Sequence, residues 1–212
     1  MKSAEKYEDL AEGFSERTYA DPSRFHGRRA DLVVELGAEL HPGDRVLDLA
    51  CGDAHVALWL LDAGLDYTGV DGSAAMVDAA RRRLGYRARI ELGDLNSYRP
   101  AEPVAATICF NAIYYVEDRA AWLRHVASFT TRKIVFDLNP RDNDSPATVR
   151  VEAAQAGFTR FDARPFFVPQ SHALPRPAQA ALETAERIPR LARALLRRRF
   201  TYVCAASRPA AG

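Results

Sequence analysis

No apolar run in the 212-residue chain approaches the ~20 residues of a membrane span, and the Lys/Glu-rich start lacks the apolar core of a secretory signal. There is no charge excess: 29 Lys and Arg face 28 Asp and Glu, a formal net charge of +1, which argues against a broad nucleic-acid footprint. Cysteine is scarce. Cys51, Cys109 and Cys204 lie far apart in apolar, strand-like contexts, and an odd number cannot pair completely. They read as reduced, buried thiols. The five histidines show no ligand spacing with them, so no metal centre is expected. A cytoplasmic location follows. Internal repeats, low-complexity stretches and interdomain linkers are also missing, so residues 1–212 read as one domain.

What is present is a core-forming composition, 48% hydrophobic and 27% charged. Strand and helix patterns alternate along it. Near-continuous apolar runs at Val46–Ala50, Tyr67–Val70, Arg89–Leu92, Ala106–Phe110 and Ile134–Leu138 suit a parallel sheet covered on both faces. Phe158–Val168, interrupted by Pro165, and Arg199–Ala206 read as two late strands. Helical spacing falls between them. Asp53 is placed to cap a helix carrying Val56, Leu58, Trp59 and Leu60, and Ser73 to cap one carrying Met76, Val77, Ala80 and Leu84, with Gly85 ending it. Trp122, Val126 and Phe129 mark another helix. A further one runs from Pro146 to Gly157, with Val151, Ala154 and Phe158 as its inner side. Two helices precede the sheet, Ala4–Tyr19 and Pro22–Leu40, and residues 1–40 are expected to form a helical cover. Residues 169–198, with Leu182, Ala185, Ile188, Leu191 and Leu195 at helical spacing, form a helical insertion between the last two strands, expected to cover a substrate.

The chemistry concentrates at strand ends. Arg45 to Asp53 is a strand, one glycine and a turn, and an acid, Asp71, closes the next strand. A dinucleotide site needs three spaced glycines and a free helix N-terminus for pyrophosphate. Here Gly52 stands alone, and a capping carboxylate from Asp53 would repel phosphate. The turn therefore suits a phosphate-free adenosine ligand, S-adenosylmethionine. Asp48 is placed for the methionine ammonium, Asp71 for both ribose hydroxyls, and Asp94 for the adenine amino group, with the Leu95 backbone N–H beside it. Asp48, Asp71 and Asp94 stand 23 residues apart, one strand-helix-strand unit each, so the three acids share one sheet edge.

The segments Val46-Leu47-Asp48-Leu49-Ala50-Cys51-Gly52, Gly69-Val70-Asp71-Gly72-Ser73, Gly93-Asp94-Leu95 and Phe110-Asn111-Ala112-Ile113-Tyr114-Tyr115, in this order, resemble the class I S-adenosylmethionine-dependent methyltransferases of small-molecule type. The resemblance implies a seven-stranded, mostly parallel, doubly wound Rossmann-like sheet, with strand seven antiparallel between five and six. It implies that Ala50 and Phe110–Asn111 hold the methionine end, and that tyrosines of the first segment, Tyr7 and Tyr19, approach it. Cys51, Gly52, Gly72 and Met76 complete the expected cofactor set. Ala54 stands where the family often has glycine, and a carboxylate near Ala106 is missing.

The acceptor side carries a weaker pattern. Tyr114, Tyr115 and His26 are the candidates for a base or an orienting group; aromatic packing is the competing reading for the tyrosines. His125 sits at helical spacing with Trp122 and Phe129 and reads as a packed residue. The Arg81–Arg83 and Arg197–Arg199 runs read as solvated faces. The expected activity is methyl transfer to an oxygen or nitrogen of a small, partly hydrophobic molecule, without nucleic acid or membrane, and with a homodimer as the candidate assembly. The alternatives are an RNA or protein methyltransferase on the same fold, a non-catalytic S-adenosylmethionine-binding partner subunit and, last, a nicotinamide dehydrogenase.

Overall fold

In the computed structural model, residues 11–139, 145–188, 190 and 201–209 are described. Seven strands form one sheet: β1 (Arg45–Leu49), β2 (Asp66–Asp71), β3 (Arg89–Leu92), β4 (Val104–Cys109), β5 (Thr130–Leu138), β6 (Arg160–Phe166) and β7 (Thr201–Ser207). Their order is β3-β2-β1-β4-β5-β7-β6, and β7 runs antiparallel to both neighbours. The resemblance implied this topology. Pro165 is tolerated inside β6 because that strand lies at the sheet edge, where a missing N–H breaks no ladder.

The described helices are α1 (Phe14–Thr18), α2 (Pro22–Glu35), α3 (Ala57–Asp62), α4 (Ala74–Leu84), α5 (Arg119–Ala127), α6 (Pro146–Gln155) and α7 (Arg176–Arg187). They cover both faces of the sheet. One core cluster gathers Leu32, Val33, Leu60 and Val77 against Val46 and Ile108; the other gathers Leu123, Val126 and Val149 against Leu47 and Phe136. Ser73 caps α4 through its Oγ, 3.3 Å from the Met76 N–H, and Gly85 ends it at φ 58°, as the sequence suggests.

Several expectations are corrected. Within the described residues the first helix is only the five-residue α1, and α2 stops at Glu35 rather than Leu40. In α6 the buried positions are Val149 and Ala153, whereas Val151 is 56% exposed and Ala154 also faces out. The helix is barely amphipathic, so spacing alone misplaced Val151 and Ala154, whereas Phe158, just beyond it, is buried as expected. Strand β5 begins four residues before Ile134, because Lys133 lies inside the core. Its Nζ donates to the carbonyls of Val33 and Leu36 at 2.6 and 2.7 Å, satisfying orphan acceptors at the end of α2. Burial lowers its pKa to about 8.

The described part of the insertion, α7, does not lie over the ligand cavity; it braces α2. Glu186, with its side chain fully buried, accepts from Arg28 at 2.8 Å and from the Phe167 N–H at 3.0 Å, and Glu183 pairs with Arg24. Leu191 and Leu195 lie outside the described residues, as does the Arg197–Arg199 run.

The turn after α2 is set by Gly37 at φ 74°, where an added Cβ would overlap Ser207 Oγ. That hydroxyl accepts the Ala38 N–H at 2.9 Å. Gly37→Ala would combine a left-handed strain of roughly 1 kcal/mol with overpacking of about 1–3 kcal/mol. We expect it to destabilise the protein by at least about 2 kcal/mol, read as a lower midpoint in urea unfolding with unchanged slope.

Candidate active site

The carboxyl ends of β1, β2, β3 and β4 open onto one cavity of about 490 Å³. Asp48, Asp71 and Asp94 all line it, so the three strand-end acids meet as their spacing predicts. Asp48 is almost wholly buried and accepts the Tyr67 hydroxyl at 2.6 Å. Burial, reinforced by the charge of Asp71, raises its pKa to about 7 against the pull of Tyr67. Asp71 accepts the Gly52 N–H at 2.8 Å on Oδ2 and the Ser73 N–H at 2.9 Å on Oδ1. Each oxygen has a further lone pair to offer a ligand. Burial raises the Asp71 pKa while the backbone N–H groups oppose the shift. Asp94 is exposed, and its Oδ1 is committed to the loop through the Asn96 and Ser97 N–H groups at 3.0 and 3.1 Å.

The turn between β1 and α3 is wound through left-handed residues: Ala50 at φ 61°, Gly52 at φ 57° and Ala54 at φ 53°. Alanine there costs roughly 1–2 kcal/mol that glycine would not, which gives the departure at Ala54 a physical meaning. The Cys51 N–H donates to Val70 O at 3.0 Å and seats the turn on β2. Asp53 does not cap the next helix, contrary to expectation. The N-cap of α3 is Val56, without a side-chain bond. Asp53 instead accepts from Ser15 Oγ at 2.7 Å, from the Ser15 N–H at 3.1 Å and from Arg83 at 2.8 Å. Arg83 also pairs with Glu16. One member of the supposed solvated arginine run thus fastens α1 beside the cavity. The carboxylate that takes a turn amide is Asp71, so discrimination against phosphate rests there.

Phe14, Tyr19, His26 and Arg29, from the segment that precedes the sheet, complete the cavity wall. Arg29 and Asp137 were missed. Arg29 is 3% exposed, donates to Asp137 Oδ2 at 2.6 Å and to Asn111 Oδ1 at 2.9 Å, and lies 4.8 Å from the Phe110 ring centroid. An acid closing the apolar run Ile134-Val135-Phe136 is the same signal that exposes Asp48, and it could have revealed Asp137. Nothing local distinguishes Arg29 from a solvated helix arginine.

Among the remaining candidates, Ala50, Cys51, Gly52, Gly72, Met76, Leu95, Phe110, Asn111 and Tyr115 line the cavity. Tyr114 does not line it; it is 48% exposed and its ring packs tilted against Tyr115. His26 faces the cavity, but burial and then the nearby cation of Arg29 hold its pKa at about 2, which makes it a neutral imidazole and a poor base. It lies 3.3 Å from Ser15 Oγ and stacks on His55. His125 sits away from the cavity, its Nε2 2.9 Å from Tyr98 O. Tyr7 lies outside the described residues.

Residues 46–133 match the methyltransferase domain family. Among curated proteins, an uncharacterized methyltransferase of Geobacillus thermodenitrificans is 29% identical over 159 residues, 72% of this chain and 71% of its own. A trans-aconitate 2-methyltransferase of Delftia acidovorans is 31% identical over 147 residues, 66% of this chain. That match spans about half of the relative, 54%. Among solved structures, the magnesium protoporphyrin IX methyltransferase of Synechocystis PCC 6803 with bound S-adenosylmethionine superposes with a TM-score of 0.60 at 20% identity, covering 88% of this chain and 81% of that one. Residues 46–133 thus match a methyltransferase domain, and the fold is the Rossmann-like one of a solved S-adenosylmethionine-bound methyltransferase. S-adenosylmethionine is bound in that neighbour, and the cavity here suits such a molecule: acids with spare acceptor positions, apolar walls from Met76 and Phe110, and a carboxylate where a phosphate would need the turn amide. Among the described residues no helix is long and apolar enough to cross a membrane.

Proposed function

We propose that this enzyme methylates an oxygen or nitrogen of a small, partly hydrophobic molecule held beneath the segment that precedes the sheet. The observation that carries this reading is the wall of Phe14, Tyr19, His26 and Arg29 across the carboxyl rim. It narrows the site to a cavity within the ~300–1,000 Å³ range of small-molecule pockets. The apolar side chains of Phe14, Val56, Phe110 and Ala112 face the same space. The near-zero net charge and the trans-aconitate specificity in the name of one relative support the same class of acceptor.

In this reading Asp71 grips the ribose, Asp94 and the Leu95 backbone meet the adenine, and Met76 packs beside it. Asp48 faces the methionine ammonium. Ala50, Cys51, Gly52, Gly72, Phe110, Asn111 and Tyr19 shape the remainder. The cofactor supplies an electrophilic methyl on a sulfonium, so the protein's task is alignment and exclusion of water. Tyr115 is the residue placed to orient the acceptor. No histidine base is assigned, and none is needed for an anionic acceptor.

Incubating the protein with S-adenosylmethionine and, separately, small acids including trans-aconitate, phenols, amines, total RNA and a protein extract tests this. S-adenosylhomocysteine and a product heavier by one methylene should form with a small molecule and not with RNA or protein, as read by mass spectrometry. Methylated RNA or protein with no small-molecule product would overturn the reading.

A further inference from the structure

Asp137 is buried near the end of β5 and does not itself line the cavity. Both its oxygens are engaged. Oδ1 accepts the Asn111 backbone N–H at 2.7 Å, and Oδ2 accepts Nη2 of Arg29 at 2.6 Å. The same Nη2 donates to Asn111 Oδ1 at 2.9 Å. Asn111 Nδ2 donates onward to the Tyr19 hydroxyl at 2.9 Å.

The direction of this chain is forced. A guanidinium only donates, so the Asn111 amide must turn its oxygen toward Arg29. Its NH₂ then faces Tyr19, whose oxygen must accept. A phenol carries one proton. With the Tyr19 oxygen accepting from Asn111, that proton is left for a partner in the cavity, which Tyr19 lines. Asn111 also sits at φ 53°, a strained left-handed conformation that the bond to Asp137 pins.

We propose that Asp137 is a positioning residue: it anchors Arg29 and the Asn111 backbone so that the chain whose polarity Arg29 sets is held in place and commits the Tyr19 hydroxyl to donate to a carboxylate oxygen at the methionine end of the cofactor. This rests on the reading that Asn111 and Tyr19 flank that end. Asp137 touches no reacting atom.

The test is a double-mutant cycle of Tyr19→Phe and Asp137→Asn, with S-adenosylhomocysteine affinity read by calorimetry and folding by thermal melts. Each single variant should bind about tenfold more weakly, the worth of one hydrogen bond to a charged group. The double variant should bind no worse than the weaker single, because anchoring the chain is irrelevant once the hydroxyl is gone. Losses that multiply, or a Tyr19→Phe variant that binds like wild type, would overturn the proposal while leaving the cofactor site intact. Wild-type protein that takes up no S-adenosylhomocysteine overturns the site reading and the relay with it. If Asp137→Asn does not fold, Asn111→Gly takes its place. It keeps the left-handed backbone and the N–H to Asp137 but removes the donor to Tyr19. Its loss should vanish in the Tyr19→Phe background, and persistence there overturns the relay.

Discussion

Asp71→Ala is expected to weaken S-adenosylmethionine binding by at least about 100-fold, from two hydrogen bonds to a charged acceptor at roughly 1.5 kcal/mol each. The same substitution strips the Gly52 and Ser73 N–H groups of their acceptor, so the turn after β1 and the start of α4 lose their shared anchor in the empty protein. A lower melting temperature should accompany the loss of affinity. Asp94→Ala should cost less, about tenfold, because that carboxylate is exposed and one oxygen already serves its own loop. Calorimetric titration of both variants checks the ranking. An Asp71→Ala protein that binds as tightly as wild type removes the ribose role and with it the proposed orientation of the cofactor.

That ranking could be written from the sequence because its ingredients are local. A strand ending in an acid, a lone glycine and a Ser N-cap lie within Asp48–Met76, and each acts on near neighbours. The sheet was legible for the same reason: β1 and β4 are mostly apolar runs that a two-sided sheet requires, whereas the edge strand β3, Arg-Ile-Glu-Leu, is betrayed chiefly by its place in the alternation. What sequence could not show is where long-range partners override a local preference. Asp53 has the right position for a cap, yet Ser15, 38 residues away, and Arg83, 30 away, take its oxygens. Lys133 looks like the polar edge of a strand until the end of α2 supplies two carbonyls. The insertion looked like a lid from its spacing; its Glu183 and Glu186 tie the described part to α2 instead. In each case a charged side chain found its partner through tertiary packing, which hydrophobic periodicity does not encode.

Asp48→Asn should make the empty enzyme more stable and a worse cofactor binder. Burial, with Asp71 beside it, raises the Asp48 carboxyl from its usual 3.8 to about 7. The native state therefore holds this proton more tightly than the unfolded chain. Its stabilising contribution is full below about pH 4 and is lost as pH rises through about 7. Above that, the ionised carboxylate costs at most about 4 kcal/mol, some three pKa units. Asparagine can keep the Tyr67 hydrogen bond without the charge. The variant should thus melt well above wild type at pH 8, and the two curves should converge toward pH 4. Binding should run the other way. A cationic ligand favours the ionised form, so wild-type affinity for S-adenosylmethionine should climb between pH 6 and 8 while that of Asp48→Asn stays flat and lower. Equal melting at pH 8, or a wild-type affinity independent of pH, would remove Asp48 from the site. The expected pattern would mean that the fold tolerates a destabilising buried acid because the cofactor's positive charge relieves it on binding.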